Sequence, residues 1–295
     1  MSCLIPLGCG SNSSPSSPAI SAPAYTYPFL FQIGDYGVSG AGSGQFNAVG
    51  GVLVYHNALF VVDQLNVRVQ KFDLDGNYLS QVSTGGTYPF GITVDGKGVI
   101  YISDWGNNTI TKWDLNFNSL GTFTPSIATV HPLGLAVDSG NRVYVADGTG
   151  AKAIRCNSDG SSCVTVTGQF TFPTGITVDG GDYLYVVDNT ASNVQKFNSS
   201  LASGATIIQS ATGIETGAVH LPAAIAIDPD GNLLVTDHTT GGRIQKFSPS
   251  GSYMASLSAP LSETFSILNG ITVDSGGNVY VPDFSHYVVY KYAPR

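Results

Sequence analysis

The pentapeptide GITVD occurs at residues 91–95, 175–179 and 270–274, with near-copies GLAVD at 134–138 and AIAID at 224–228. A chain that repeats one short segment at wide intervals builds the same supersecondary unit repeatedly. In all five copies a second aspartate follows nine residues after the first, giving Asp95/Asp104, Asp138/Asp147, Asp179/Asp188, Asp228/Asp237 and Asp274/Asp283. GVLVYHNALFVVD at 51–63 is an earlier copy, one residue shorter, with Tyr55 in place of the first aspartate. Eight residues after the second aspartate stands a cation, usually followed by an aromatic: Lys71-Phe72, Lys112-Trp113, Arg155-Cys156, Lys196-Phe197 and Lys291-Tyr292, with Lys246-Phe247 at nine.

Successive second aspartates lie 41, 43, 41, 49 and 46 residues apart. A period of this size with about four short strands per unit is the arithmetic of a β-propeller. GITVD is then the innermost strand A, VYVxD strand B, VxKF strand C, and the run after the next turn strand D. Both faces of a blade pack on neighbours, so the strands are apolar almost continuously instead of alternating. Composition agrees: 36 glycines, only 11% charged residues and apolar runs rich in Val, Ile, Thr and Tyr favour strands and turns, and no amphipathic helix stands out. Six A-B-C sets are present, the sixth ending at Tyr292 with no room for a fourth strand, while FLFQI at 29–33 precedes the first repeat. The expected fold is all-β: a six-bladed propeller of four-stranded antiparallel blades, closed by that N-terminal strand completing the last blade. Closure removes the exposed edges that would template aggregation.

Residues 1–28 differ. MSCLIPLGCG leads into a Ser/Pro/Ala-rich tract without charge that reads as a disordered linker, leaving 29–295 as the propeller. Leu7-Gly8-Cys9 before a polar tract resembles the end of a bacterial lipoprotein signal, which implies lipidation at Cys9; the stretch lacks a basic n-region and has a short apolar segment interrupted by Pro6. A net charge of −8 and dispersed Lys and Arg argue against a nucleic-acid partner. No other segment is apolar enough to span a bilayer, so any membrane contact would come through a lipid anchor.

GSGQFN at 42–47 and VVDQLNVRVQKFDLDG at 61–76 resemble the NHL-repeat family, and the likeness runs from about Phe29 to Tyr292, weakest in blade 3 with GTGAKAIRC. The resemblance implies a scaffold, sensor or ligand-binding module, and a monomer is expected. A minority of related propellers are metal-dependent lyases or lactone hydrolases. Amidating lyases bind zinc through histidines, some just before the glycine opening strand A. Here Gly50, Phe90, Leu133, Thr174, Ala223 and Asn269 stand there, and no strand A offers the glutamate of a lactonase.

Cys156 replaces the strand C aromatic, and Cys163, seven residues on, replaces a strand D apolar residue. Directly opposed strand positions lie within disulfide range, so a Cys156–Cys163 bridge is expected, the alternative being two buried thiols. A bridge and a lipoprotein-like start point to an extracytoplasmic location, secreted or anchored at the bacterial cell envelope.

A residue present in every blade is best explained by what every blade needs. A carboxylate ending strand B can accept local backbone N–H bonds and pair with a Lys or Arg on the next strand. Chemistry is expected where the repeat breaks, on the face carrying the D–A connections and B–C loops. The candidates there for a protein, peptide or carbohydrate ligand are Tyr88, Trp105, His131 and Phe284, since flat rings offer contact area at low entropic cost. The alternative is a zinc or calcium site, or an acid–base pair, built from Glu215, His220, His238, Glu263 and His286 near blades 5 and 6. Those five could equally be solvated loop residues. No cofactor is expected outside that alternative, and no catalytic residue is identified.

Overall fold

A computed structural model describes residues 27–127, 131–166, 168–201, 204–210, 216–239, 241–260 and 263–294. They form six four-stranded antiparallel sheets and, among the described residues, no helix. Blades 1 to 5 occupy residues 49–83, 89–123, 132–165, 173–209 and 222–257, each in the order A-B-C-D. Blade 6 takes its three inner strands from residues 272–292 and its outer strand from Phe29–Ile33, which pairs antiparallel with Val288–Tyr292. The expected closure of the ring is therefore present.

Strand B is buried at all five positions in blades 2 to 6. This follows from packing on both faces: Phe60, Val62 and Val69 of blade 1 pack with Ile92, Ile100, Ile102 and Trp113 of blade 2. Burial of such large apolar side chains contributes about 1.5–3 kcal/mol each. At the closure, Ile33 and Phe46 pack with Phe72 and Tyr280. Cys156 and Cys163 are disulfide-bonded, continuing the cross-strand register of Ile154 with Thr165 and Arg155 with Val164.

The glycine of GITVD is required by the neighbouring blade. A Cβ on Gly91 would lie 2.3 Å from the Leu133 carbonyl oxygen, and one on Gly134 would lie 2.4 Å from that of Thr174. The same approach links Gly175 to Ala223 and Gly51 to Phe90. In blades 1 to 5 the A–B register also shifts at this point, between Pro89 and Ile92 in blade 2. A bulge there turns the strand so that successive inner strands meet backbone to backbone. Ala224 takes the place in blade 5, so one blade accommodates a methyl group.

The aspartate of GITVD organises the A–B turn. Asp95 Oδ1 accepts the amides of Lys97 and Val99, and Oδ2 accepts the Tyr101 hydroxyl at 3.0 Å. Tyr144 with Asp138, Tyr185 with Asp179 and Tyr280 with Asp274 repeat the contact. Burial, reinforced by the adjacent carboxylate, pushes the Tyr101, Tyr185 and Tyr280 hydroxyls well above the ordinary tyrosine value. Blade 1 loses both partners together, having Tyr55 and Phe60 at the two positions. In blade 5 Leu234 replaces the tyrosine, and Lys246 Nζ instead reaches Asp228 at 2.8 Å.

The glycine contact gives a matched test. Gly134→Ala should cost about 1–3 kcal/mol of unfolding free energy through overpacking. Gly180→Ala, with nothing within 4 Å of the added methyl, should be neutral or slightly stabilising in the same denaturant titration.

Candidate functional site

The loop face is built on the second aspartate of each repeat. Asp188 accepts the amides of Thr171 at 2.6 Å and Phe172 at 3.0 Å from the D–A connection, and that of Ala191 at 2.9 Å from the B–C turn. Asp104 does the same with Thr87, Tyr88 and Asn107, and Asp237 with His220, Leu221 and Thr239. All six of these aspartates are buried. Burial works to raise the Asp237 carboxyl, but the Thr239 hydroxyl, the Arg243 guanidinium and the backbone amides outweigh it and hold it below the ordinary aspartate range.

The cations that pair with these carboxylates begin strand C or end the loop before it. Arg68 lies 2.7 Å from Asp63, Arg243 2.6 Å from Asp237 and Lys152 3.5 Å from Asp147. Three of the repeated lysines near the end of strand C do a different job, lying over strand B rings. Lys71 is 5.3 Å from the Phe60 ring centre, Lys196 4.8 Å from that of Tyr185 and Lys291 5.3 Å from that of Tyr280. Both sets of charges are thus used within the scaffold.

The axial channel, a cavity of about 270 Å³, is walled by the six inner strands. Its lining residues are glycines, Val, Ile, Leu, Ala, Thr, Phe90 and Asn269, with no titratable side chain. Such a wall does not fit a hard divalent cation, which needs several oxygen ligands with charge among them.

On the loop face, the residue before strand A and the residue after strand B meet through the backbone. The amide of Trp105 donates to the Tyr88 carbonyl, His238 to Leu221 and Phe284 to Ile267. Tyr88 and Trp105 pack edge to face at 5.7 Å, and Trp105 lies 6.1 Å from the His131 ring. Three of the four expected ligand-binding residues therefore form one contiguous group, with Trp105 40% exposed. Phe284 holds the position of Trp105 in blade 6, with blade 1 between them. The same rim exposes Leu65, Phe172, Leu221 and Ile267. The sequence reading missed these; the signal available for Phe172 and Leu221 was the proline following each, which opens strand A.

The four candidate metal ligands among the described residues, His220, His238, Glu263 and His286, do not gather. Among the described residues no three His, Cys, Asp or Glu side chains are arranged to hold a metal ion, and Glu215 lies outside those residues, as does Cys9. His286 places Nδ1 3.0 Å from Asp283 and Nε2 3.1 Å from the Tyr36 hydroxyl while stacking on the Tyr36 ring. His220 lies near Ser210, its Nδ1 3.5 Å from the hydroxyl. Glu263 hydrogen-bonds the buried Tyr290 hydroxyl and lies beside a separate cavity on the flank. His238 is held neutral: burial pushes it below the ordinary value of 6.5, outweighing the Leu268 carbonyl and the Asp237 and Asp283 charges.

Residues 130–269, just under half the chain, match the family model for the SMP-30/gluconolactonase/LRE-like region, a propeller family related to the one the sequence resembles. A sequence search of curated proteins finds no match. Among solved structures, a gluconolactonase from Xanthomonas campestris is similar with a TM-score of 0.70 at 16% identity, covering 95% of this chain and 98% of that one. A protein of unknown function from Bacteroides thetaiotaomicron gives 0.69 at 17% identity, covering 89% and 76%. Virginiamycin B lyase from Staphylococcus aureus gives 0.61 at 14% identity, covering 84% and 80%. At these identities the likeness establishes the six-bladed fold and nothing finer.

The buried His238 predicts an acid sensitivity. Its folded pKa is below the unfolded value near 6.5, so the stability it confers is present above that pH and is lost as pH falls beneath it. Between about pH 7 and pH 5 the thermal midpoint of His238→Gln should fall less than that of the wild type.

Proposed function

We propose that this propeller is a binding module of the NHL type that holds an uncharged ligand, a carbohydrate or an apolar peptide segment, on its loop face. The observation that carries the reading is the Tyr88–Trp105–His131 group, with its exposed indole, set in a rim of exposed apolar residues. Exposed aromatic and apolar groups brought together in this way mark interaction sites, and aromatic anchors dominate their energetics. The rim's nearest cations are drawn down to the buried aspartates, so recognition by charge is not what this face is built for. The disulfide suits an oxidising, extracytoplasmic setting, and the Ser/Pro tract would space a monomeric propeller from a surface if Cys9 carries lipid.

The family match over blades 3 to 5 favours a second reading, a metal-dependent lactone hydrolase or lyase. It would need a ligand set that the neutral channel wall does not provide, and His286 is held by Asp283 and Tyr36, whereas the Nε2 of His238 is buried without a hydrogen-bond partner. Metal analysis of the purified protein separates the two. Stoichiometric zinc or calcium lost on His238→Ala and His286→Ala would favour the enzyme.

For the binding reading, glycan and peptide arrays supply the ligand. Trp105→Ala should then weaken the best hit at least tenfold, about 1.4 kcal/mol, with the thermal midpoint little changed. Equal binding by wild type and Trp105→Ala would remove the loop face as the site.

A further inference from the structure

Strand C of blades 1, 4 and 5 carries a buried glutamine, Gln70, Gln195 and Gln245, beside the connection that enters the same blade. In blades 1 and 5 the side-chain amide locks onto that connection with both of its polar atoms. Gln70 Oε1 accepts the Gly44 amide at 2.9 Å, and its Nε2 donates to the Gln45 carbonyl at 2.7 Å. Gln245 Oε1 accepts the Gly217 amide at 2.8 Å, and its Nε2 donates to the Ala218 carbonyl at 2.6 Å. Blade 4 makes only half of the lock. Gln195 Nε2 donates to the Gln169 carbonyl at 2.6 Å, but the Gly168 amide turns away to the Val166 carbonyl at 3.0 Å. Among the described residues no donor reaches Gln195 Oε1.

That oxygen is not sealed in. Gln195, itself 6% exposed, lines an open cavity of about 280 Å³. Asn193 and Phe197 of strand C, Gly204 and Thr206 of strand D, and Gly168 and Gln169 of the connection complete the wall. Asn193, Gln195 and Phe197 alternate along their strand and so share a face, and Thr206 stands directly opposite Gln195. The neighbouring outer strand, in blade 3, has two residues where the others have five or six. A side chain at Gly204 would strike the Phe197 ring, so the glycine keeps the space clear.

No charged side chain lines this cavity, and its polar groups are two glutamine amides, an asparagine amide and a threonine hydroxyl. An occupant has to donate to Gln195 Oε1 and meets donors and acceptors together elsewhere in the wall. A hydroxyl plays both parts, and the carbon–hydrogen face of a sugar ring packs on an aromatic such as Phe197. The volume lies at the lower end of ligand sites, which suits one ring and not a chain of them.

We infer that this cleft in blade 4 binds a single neutral sugar or cyclic polyol, one hydroxyl donating to Gln195 Oε1 in place of the backbone amide that closes the lock in blades 1 and 5. The cleft shares no residue with the Tyr88–Trp105–His131 group, and the inference does not rest on the reading of the rim.

A chemical-shift titration of the isotope-labelled full chain with D-glucose, D-galactose, D-mannose and myo-inositol tests it. At least one of the four should bind saturably and shift the side-chain amide signals of Gln195 and Asn193. Thr206→Val, which keeps the side-chain shape, should weaken that binding at least fivefold with little change in thermal midpoint, and Gln195→Leu should do so at least as strongly. Gln245→Leu breaks a complete lock, so it should lower the thermal midpoint and leave the affinity unchanged. No saturable shift with any of the four compounds would mean that the cavity holds solvent only, and overturns the proposal. Binding that leaves the Gln195 amide unshifted, or equal affinity of wild type and Thr206→Val, overturns it as well.

Discussion

The structure depends on a buried carboxylate that ends strand B in every blade. Asp104, Asp188 and Asp237 each accept three backbone amides, joining the connection that enters a blade to the turn midway through it. Hydrogen bonds to an ionised acceptor contribute about 1.5–3 kcal/mol each, and leaving such amides unsatisfied costs comparably. Asp147 and Asp283 accept two such amides and Asp63 one, so in every blade a buried carboxylate ties loops of different sequence to equivalent strand ends, and the loops can vary without loosening the ring. In blades 2, 3, 4 and 6 the A–B turns on the other face use another carboxylate in the same manner, with a strand B tyrosine completing it. What looks in the sequence like a recurring active-site motif is a recurring solution to unpaired backbone groups.

Architecture was legible because it rests on periodicity. Spacing of the aspartates gave six blades, the missing outer strand pointed to Phe29–Ile33, and the shared register of two hairpin positions paired Cys156 with Cys163. Contacts between blades were less accessible, because they join residues about one period apart through the backbone. The Leu133 carbonyl that forbids a side chain at Gly91 cannot be seen in a pattern of residue types. A Lys or Arg of the next strand was expected to pair with the strand B carboxylates, and Arg68, Lys152 and Arg243 do so, while Lys71, Lys196 and Lys291 cover aromatic rings and Lys246 pairs with Asp228.

The candidate site was legible in part. Tyr88, Trp105 and His131 stood out by breaking the repeat, and they meet because the loops of blades 2 and 3 are neighbours. Phe172, Leu221 and Ile267 were passed over, since an apolar residue beside an apolar strand does not by itself show that it faces solvent, and the proline after Phe172 and Leu221 was the cue not used. The histidines and glutamates of blades 5 and 6 were grouped by nearness in sequence, but His286 turns to Asp283 and Tyr36 while Glu263 turns to the Tyr290 hydroxyl. The residues that depart from the repeat thus gather at particular places, above all in the apolar rim of the loops.

Whether the strand B carboxylates hold the fold or bind ions is decided most directly at Asp188. Denaturant unfolding of Asp188→Ala, with amide exchange followed at Thr171, Phe172 and Ala191, should show a loss of about 3 kcal/mol or more and faster exchange at those amides. Unchanged stability and exchange, accompanied by loss of a bound divalent ion, would contradict the account.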